Sequence, residues 1–409
     1  MKLQEIPFID EHHPKNKRVL LRVDFNVSLN PNSLTIADDA RIRQAIPTIK
    51  LLLKNNNKII IASHLGRPKG VREHKFSMRI VCNELKRFIT DHTITLVDDF
   101  MADTKNILAK QNTNEIIVLE NTRFYPGEKN NDHDFAEKMA SLGDVFVNDA
   151  FGVSHRADAS VVGVTEFLPS YGGLLLKKEI EMILKAIDKP ARPVVGIIGG
   201  AKISTKIKVI DKLMHLTDQL IIGGALANTF LYAQGISVGE SLYEKDQKDI
   251  AEILLKKAEK EHCTLVLPLD CVIGEPNELE QGGTVYKVKE VPKKGQILDI
   301  GPESKAKIGT LIAKARTIIW NGPIGYFENI HYRQGTDFLY YAITENTEAV
   351  SVIGGGDTLA AISKKEYLDK ITHISTGGGA MLEFIENGTL VGIEALIKNK
   401  KKFMSSIRR

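Results

Sequence analysis

The sequence predicts an α/β protein built from two domains with parallel sheets, joined by a helix. Three observations lead there. The chain has 409 residues, too many for one ordinary domain. Short β-branched runs alternate along it with longer amphipathic segments, as expected of parallel strands joined by helices. Between the halves lies "YGGLLLKKEIEMILKAIDKPARP", in which Leu176, Ile180, Ile183, Leu184 and Ile187 recur at helical spacing. Gly172 and Gly173 precede that run and Pro190 follows it, which suits a connecting helix over 173–189 between domains of 1–172 and 190–384.

In the first half the expected strands are Val19–Val23, Lys58–Ala62, Glu115–Leu119 and Val145–Val147, with a weaker one at Thr95–Val97. In the second half they are Val194–Ile198, Gln219–Ile222, Thr264–Leu267, Thr317–Trp320, Ala349–Ile353 and Ile371–Ser375.

Composition narrows the class. The chain is 43% apolar and 26% charged, and 55 basic residues against 51 acidic give a net charge of +4. That balance argues against a general nucleic-acid or membrane coat, yet permits a local basic pocket for an acidic ligand. Cys82, Cys263 and Cys271 lack metal-ligand spacing and disulfide density, so reduced thiols in a cytoplasmic protein are expected. The N-terminus lacks a signal-peptide core, and no apolar run approaches the roughly 20 residues of a membrane span. A soluble protein is expected.

Four strands of the second half end in paired or tripled glycines: "GIIGGAK", "LIIGGAL", "VIGGGDT" and "ISTGGGA". In open α/β sheets ligands bind beyond the carboxyl ends of the strands. Glycines there let a ligand approach the main chain and leave helix N–H groups free to hold an anion. Tight packing of strand on helix explains any single pair equally well. Four such pairs, with Lys202 and Asp357 attached, favour a phosphate-bearing ligand. Asp357 suits Mg²⁺ against nucleotide phosphates, and Thr358 suits a helix cap or a phosphate contact. There is no Gly-Lys dipeptide for a Walker A loop, and no GxGxxG dinucleotide fingerprint. "DAFG" and "HRAD" are similar to protein-kinase signatures, but stand in reversed order.

The first half has basic motifs: Arg22 and Asp24 in "RVDFNV", Arg41 in "DDARIRQ", His64 and Arg67 in "SHLGRP", Arg123 in "LENTRF", and His155 and Arg156 in "GVSHRADAS". Several directly follow a strand. Guanidinium groups bind phosphate and carboxylate in bidentate fashion, so a convergent set suits a small polyanion. Each arginine taken singly reads first as a solvated surface charge, and it is convergence of several that favours a site.

These motifs carry a resemblance. "RVDFNV", "SHLGRP", "LENTRF", "NDAFG", "GGAKISTKI", "DIGPES", "WNGPIGYFE", "GGGDT" and "STGGGA" occur in the order found in phosphoglycerate kinases, and the likeness runs from about residue 3 to about residue 397. It implies two Rossmann-like domains facing a cleft, which close about a hinge to transfer phosphate reversibly between 1,3-bisphosphoglycerate and MgADP, with Mg²⁺ as cofactor. By the same resemblance 3-phosphoglycerate is held by Asp24, Phe25, Asn26, Arg41, His64, Leu65, Gly66, Arg67, Arg123, His155 and Arg156. Arg41 also points toward the phosphoryl group in flight. The nucleotide is held by Lys202, Lys206, Gly223, Gly224, Asn321, Pro323, Glu328, Gly355, Gly356, Asp357 and Thr358, and Asp357 holds the metal. Arg41 and Lys202, with the backbone N–H groups of Gly356 and Gly379, meet the transferring phosphoryl. The segment 385–409 returns to the first domain, and a monomer is expected, without nucleic-acid or membrane partners.

The chain departs from the family pattern at Asp158, where a neutral or basic side chain is usual, and at Leu226, Tyr326, Met381 and Val391. Met381 replaces a serine that would offer a polar contact at a helix start. "IKNKKKFMSSIRR" reads as a solvated, frayed basic tail or as a docking segment for an acidic partner. Another carboxylate kinase and a non-enzymatic nucleotide-binding protein are the competing functional classes. The first is disfavoured by the arginine set, the second by the joint presence of Arg41, Lys202 and Asp357.

Overall fold

The structure is a computed structural model and describes residues 3–30, 33, 35–102, 108–275, 279–362 and 365–403. It divides into two compact units, Met1–Glu181 with Asn387–Arg409, and Met182–Glu386.

The first unit holds six strands: β1 (Arg18–Val23), β2 (Lys58–Ala62), β3 (Thr93–Val97), β4 (Glu115–Leu119), β5 (Val145–Asp149) and β6 (Ser170–Gly172). They form one parallel sheet in the order β3-β4-β2-β1-β5-β6. Because β1 lies between β2 and β5, the chain leaves it on one side and returns on the other, which opens a crevice at the carboxyl edge. Alternate side chains serve opposite faces. Val19, Leu21 and Val23 pack with Ile42, Ile49 and Leu52 of the helix Ala40–Lys54. Leu20 packs with Ile60, Phe100, Ile117 and Phe146 on the other face. A sheet covered on both faces needs continuous apolar runs rather than alternation, as the sequence shows.

The helix Val391–Phe403 completes this unit. The buried Asn399 amide donates to the Thr165 carbonyl at 2.6 Å and the Leu168 carbonyl at 2.8 Å, and accepts from the Ser170 N–H at 2.8 Å. Lys400 and Lys402 donate to the carbonyls of Gln4 and Glu166. The expected frayed tail is therefore an ordered helix through Phe403, while Arg408 and Arg409 lie outside the described residues.

The connecting helix runs from Leu174 to Ile187 and buries Leu176, Ile180 and Ile183. Asp149, at the end of β5, accepts from the N–H groups of Leu175 at 2.8 Å and Leu176 at 3.1 Å. Burial pushes its carboxyl up to about 7, against the opposing pull of Thr48 and those two amides. Any side chain at Gly173 would overlap Asp149.

The second unit contains β7 (Val194–Ile198), β8 (Gln219–Ile222), β9 (Thr264–Val266), β10 (Asp270–Gly274), β11 (Thr284–Lys287), β12 (Gln296–Ile300), β13 (Thr317–Asn321), β14 (Val350–Gly354) and β15 (His373–Ser375). Six of them make a parallel sheet in the order β15-β14-β13-β7-β8-β9, and the other three an antiparallel sheet β11-β10-β12. Val195, Ile197, Ile318, Trp320 and Ile353 pack with Ile308, Ile312, Leu339 and Ile343. Every strand expected from the sequence is present, with ends shifted by two residues at most; β6 and the antiparallel sheet were not expected. Among the described residues no helix is long and apolar enough to cross a membrane, and the three cysteines are free and buried.

Candidate active site

The carboxyl edge of the first sheet gathers the basic motifs. Asp24 to Asn26 follow β1, His64 to Arg67 follow β2, Arg123 sits in a short turn after β4, and His155 and Arg156 follow β5. Arg41 is in the first turn of the helix Ala40–Lys54 and pairs with Asp24 through a short ion contact. Burial alone would raise the Asp24 carboxyl, but Arg41, His64 and Arg22 outweigh it and hold it down at about 2. Asp24 is thus an anion at any working pH.

Arg22 is fully buried, donating through Nε to Ser160 Oγ at 2.8 Å and through Nη2 to His64 Nδ1 at 3.2 Å. A guanidinium cannot accept, so Nδ1 of His64 must, and the proton of the neutral ring sits on Nε2. Burial, with Arg22, Arg123 and Arg156 adding to it, drives the His64 pKa well below its usual value despite Asp24. His64 is therefore a neutral donor. His155 is lowered too, by burial and by Arg156, whose Nε donates to His155 Nε2 at 3.2 Å. Its Nδ1 is buried without a hydrogen-bond partner.

Arg123 is the most notable member. Its side chain is 2% exposed, its Nη1 donates to the Gly66 carbonyl at 3.0 Å, and its Nε and Nη2 have no hydrogen-bond partner. Burial, then Arg156, pulls its pKa down to about 10, still high enough to keep it charged at neutral pH. The Gly66 N–H donates to Asn26 Oδ1 at 2.7 Å, which ties two of the expected residues together. Phe25 and Leu65 point their side chains into the core, so only their main chains reach this edge. Arg67 is exposed. Beneath them, Ser63, Asn121, Glu128 and Ser160 form buried supports that sequence reasoning missed. Glu128 accepts from Thr122 Oγ1 at 2.9 Å and Ser160 Oγ at 2.6 Å, and Asn121 Nδ2 donates to the Leu65 carbonyl at 2.7 Å. Isolated polar residues next to strands carry no sequence signal of such a role.

In the second unit the glycine turns after β7 and β8 border a cavity of about 450 Å³, lined among others by Gly200, Gly224, Pro323, Glu328 and Asp357. The glycines have two distinct causes. A side chain at Gly199 would overlap the Pro323 carbonyl oxygen, and one at Gly223 would overlap Ile324. Gly200, Gly224 and Gly355 have φ of +127°, +66° and +115°, which side chains rarely tolerate. Gly356 and Gly379 differ, because a β-carbon there would meet nothing within 4 Å. Both stand at the start of a helix, Gly356–Ala361 and Gly378–Asn387, with open space before them.

Lys206 donates to the Gly199 carbonyl and, at 3.3 Å, to Asn321 Oδ1. Burial lowers its pKa to about 8, with Asp357 pulling the other way. Asn321 Nδ2 donates to the Gly354 carbonyl at 2.8 Å. Lys202 and Asp357 are exposed. Thr358 is neither a cap nor open to a ligand through its hydroxyl: it is buried, accepts from Gly322 N–H at 2.7 Å and donates to the Gly354 carbonyl at 2.9 Å. The cap position is Gly355. Asn228, Leu242, Leu298 and Asp299 also line the cavity and had not been singled out. Asp299 accepts from the N–H groups of Ile300 and Gly335 at 2.8 and 2.7 Å, and burial raises its pKa to about 7 against them.

Comparison with known proteins bears on this arrangement. The family model described as phosphoglycerate kinase matches residues 9–388. The phosphoglycerate kinase of Acidobacterium capsulatum is 45% identical over 390 residues, covering 93% of this chain and 96% of that protein. That of Pelotomaculum thermopropionicum is 43% identical over 383 residues, covering 94% and 97%. Among solved structures, phosphoglycerate kinase from Coxiella burnetii aligns with a TM-score of 0.82 at 39% identity, covering 94% of this chain and 97% of that one. The enzyme from Pyrococcus horikoshii aligns with 0.83 at 28% identity, covering 97% and 100%. With its two parallel sheets, its basic edge and its glycine-lined cavity, the chain belongs to the phosphoglycerate kinase family.

Proposed function

We propose that the basic edge of the first unit holds 3-phosphoglycerate and that the cavity of the second holds the adenine nucleotide, in the reversible phosphoryl transfer of glycolysis that the family carries out. The observation that most supports the first assignment is Arg123, whose buried Nε and Nη2 lack a hydrogen-bond partner. A buried charged donor left unmatched is costly, and a bidentate anion is what matches it. Arg41, His64, Arg156 and the exposed Arg67 stand at the same edge, with Asp24 and Asn26 orienting it.

On the nucleotide side, Lys206 and the exposed Lys202 suit the phosphates, while Gly223, Gly224, Pro323 and Glu328 suit the adenosine. Asp357 is an exposed carboxylate at the rim of the cavity, next to the open space at Gly356, and one carboxylate with phosphate oxygens is a usual donor set for Mg²⁺. Asp357 would hold that ion, which neutralises phosphate charge when bound. Thr358 serves by fixing the Gly322 and Gly354 main chain.

In the ATP-consuming direction a carboxylate oxygen of 3-phosphoglycerate forms a bond to the γ-phosphorus as the β–γ bridging bond breaks, and the electron pair leaves with ADP. The attacking oxygen is already ionised, so no general base is needed and neutral His64 is no obstacle. Catalysis is then positioning and charge stabilisation. Arg41, Lys202 and the N–H groups of Gly356 and Gly379 are the groups for it, and turnover requires the two units to approach and exclude water. We take the working form to be a cytoplasmic monomer.

The test is a coupled assay with 3-phosphoglycerate, ATP and Mg²⁺, omitting each in turn; activity must need all three. Arg41→Ala should lower turnover by about 10³-fold, as loss of a phosphoryl-stabilising arginine does. Nucleotide affinity should survive it. Full activity in Arg41→Ala, or activity without 3-phosphoglycerate, would sink the reading.

A further inference from the structure

Asp158 and Arg123 face each other at 3.9 Å, from Asp158 Oδ2 to Arg123 Nη2, with side chains 8% and 2% exposed. Yet neither atom makes a hydrogen bond. A carboxylate that pairs with an arginine directly closes to contact, as Asp24 does on Nη1 of Arg41. Here the Nε and Nη2 donors of Arg123, which together form one bidentate edge of the guanidinium, stay vacant beside an equally vacant acceptor. The geometry is that of a counter-ion held near, and not on, a site that another anion is to fill.

The neighbours keep Asp158 in place. Its carbonyl accepts from the N–H groups of Val161 and Val162 at 2.9 Å, so the residue is pinned by its own turn. Ala159 and Ser160, next in the chain, are bonded to the Glu128 carbonyl and carboxylate. The main chain of Asp158 is therefore fixed, which keeps its carboxylate within one side-chain rotation of Arg123 when an anion arrives. Arg22, Arg156 and Glu128 are the other charges that act on Arg123. Among them only Asp158 is a carboxylate within ion-pair distance of its guanidinium.

We propose that Asp158 opposes anion binding at Arg123, a fixed negative charge beside which the phosphate of the substrate must settle and which weakens substrate binding. This rests on the reading that 3-phosphoglycerate binds at this edge. A dianionic phosphate on the Nε and Nη2 edge lies close to the Asp158 carboxylate, and that like-charge repulsion offsets part of the attraction of the arginines. Asp158 is thus a positioning and affinity-setting residue, with no place in the transfer step itself.

The test uses the full chain and three substitutions. Calorimetric titration with 3-phosphoglycerate, and inhibition by inorganic sulfate as a simple competing anion, are measured for the unaltered protein and for Asp158→Asn. The amide keeps the shape and removes the charge, so affinity for 3-phosphoglycerate should rise about 3- to 10-fold and sulfate should inhibit at lower concentration. KM for 3-phosphoglycerate should fall by the same factor while KM for ATP stays put. Asp158→Glu, which restores the charge, should return affinity toward the original, which a purely structural role would not require. If Asp158→Asn does not fold, Asp158→Ser is measured in its place with the same expectation. Unchanged or weaker 3-phosphoglycerate binding in the neutral variants overturns the proposal alone. Failure of the unaltered chain to bind 3-phosphoglycerate overturns the reading of the site, and the proposal with it.

Discussion

A β-carbon on Gly354 would stand 2.5 Å from the sulfur of Met381. The first glycine of the "GGGD" run is therefore bare because a neighbouring helix fills its place, and the departure at Met381 is a packing feature. Met381 is fully buried, so its thioether, and no polar contact, is what the helix Gly378–Asn387 supplies there. Met381→Ser should destabilise the protein by about 2–4 kcal/mol through the cavity it leaves. Gly354→Ala should cost about 1–3 kcal/mol by overpacking. The two combined should cost less than their sum by at least about 0.5 kcal/mol, since one relieves the other. Denaturant unfolding of the four proteins measures this, and strict additivity would show that the pair does not couple.

Gly356→Ala and Gly379→Ala should behave in the opposite way. Neither β-carbon meets any atom within 4 Å, and each residue begins a helix. Unfolding midpoints should hold or rise slightly, because alanine gains about 0.5–1 kcal/mol over glycine in a helix. Turnover should nevertheless drop by about 10-fold or more if a phosphoryl group uses that space. Loss of stability in step with activity would deny these glycines a role in binding.

Lys206 gives the pH dependence. Burial lowers its pKa to about 8, so the free protein loses this charge as pH rises through 8. KM for the nucleotide should climb above that pH, and Lys206→Met should flatten the profile at a uniformly higher KM. The stability sign is the reverse. Between 8 and the ordinary lysine range the unfolded chain holds the proton and the folded one does not, so this group adds stability as pH rises there. A nucleotide KM that is flat from pH 7 to 9 in the unaltered protein would remove Lys206 from phosphate binding.

Asn228 supports the cavity wall. Its Nδ2 donates to the Leu242 carbonyl at 3.0 Å, while Leu242 itself is 62% exposed and lines the same cavity. Asn228→Ala should free that segment and raise the nucleotide KM by about 5- to 10-fold, the size expected for one lost buried hydrogen bond. The KM for 3-phosphoglycerate should not move. Parallel rises in both constants would point to a general loss of structure.

The strands were legible because continuous β-branched runs are what a doubly covered parallel sheet demands, and β1, β2, β7 and β13 show it plainly. β6 and β11 were not. "SYG" is too short to show a period, and "TVYK" is largely exposed, so it carries no run of buried side chains. The glycines were legible as a group but not individually: Gly199 and Gly223 answer to packing, Gly356 and Gly379 to open space, and nothing in the letters separates them. Convergence was hidden as well. That Arg22 turns inward to His64 and Ser160, while Arg123 keeps an unpartnered edge beside Asp158, depends on the end of β1 and the segments after β2, β4 and β5 meeting at one sheet edge.

Asn399 closes hydrogen bonds to Ser170, 229 residues earlier in the chain. On a ribosome the whole of the second unit, Met182–Glu386, is made between the two halves of that contact. The second unit can therefore fold without the closing segment, whereas the first must wait with its Ser170 strand uncovered until residue 399 emerges. A released chain that stops shortly after residue 386 should present a protease-resistant second unit and a first unit that is still open to cleavage.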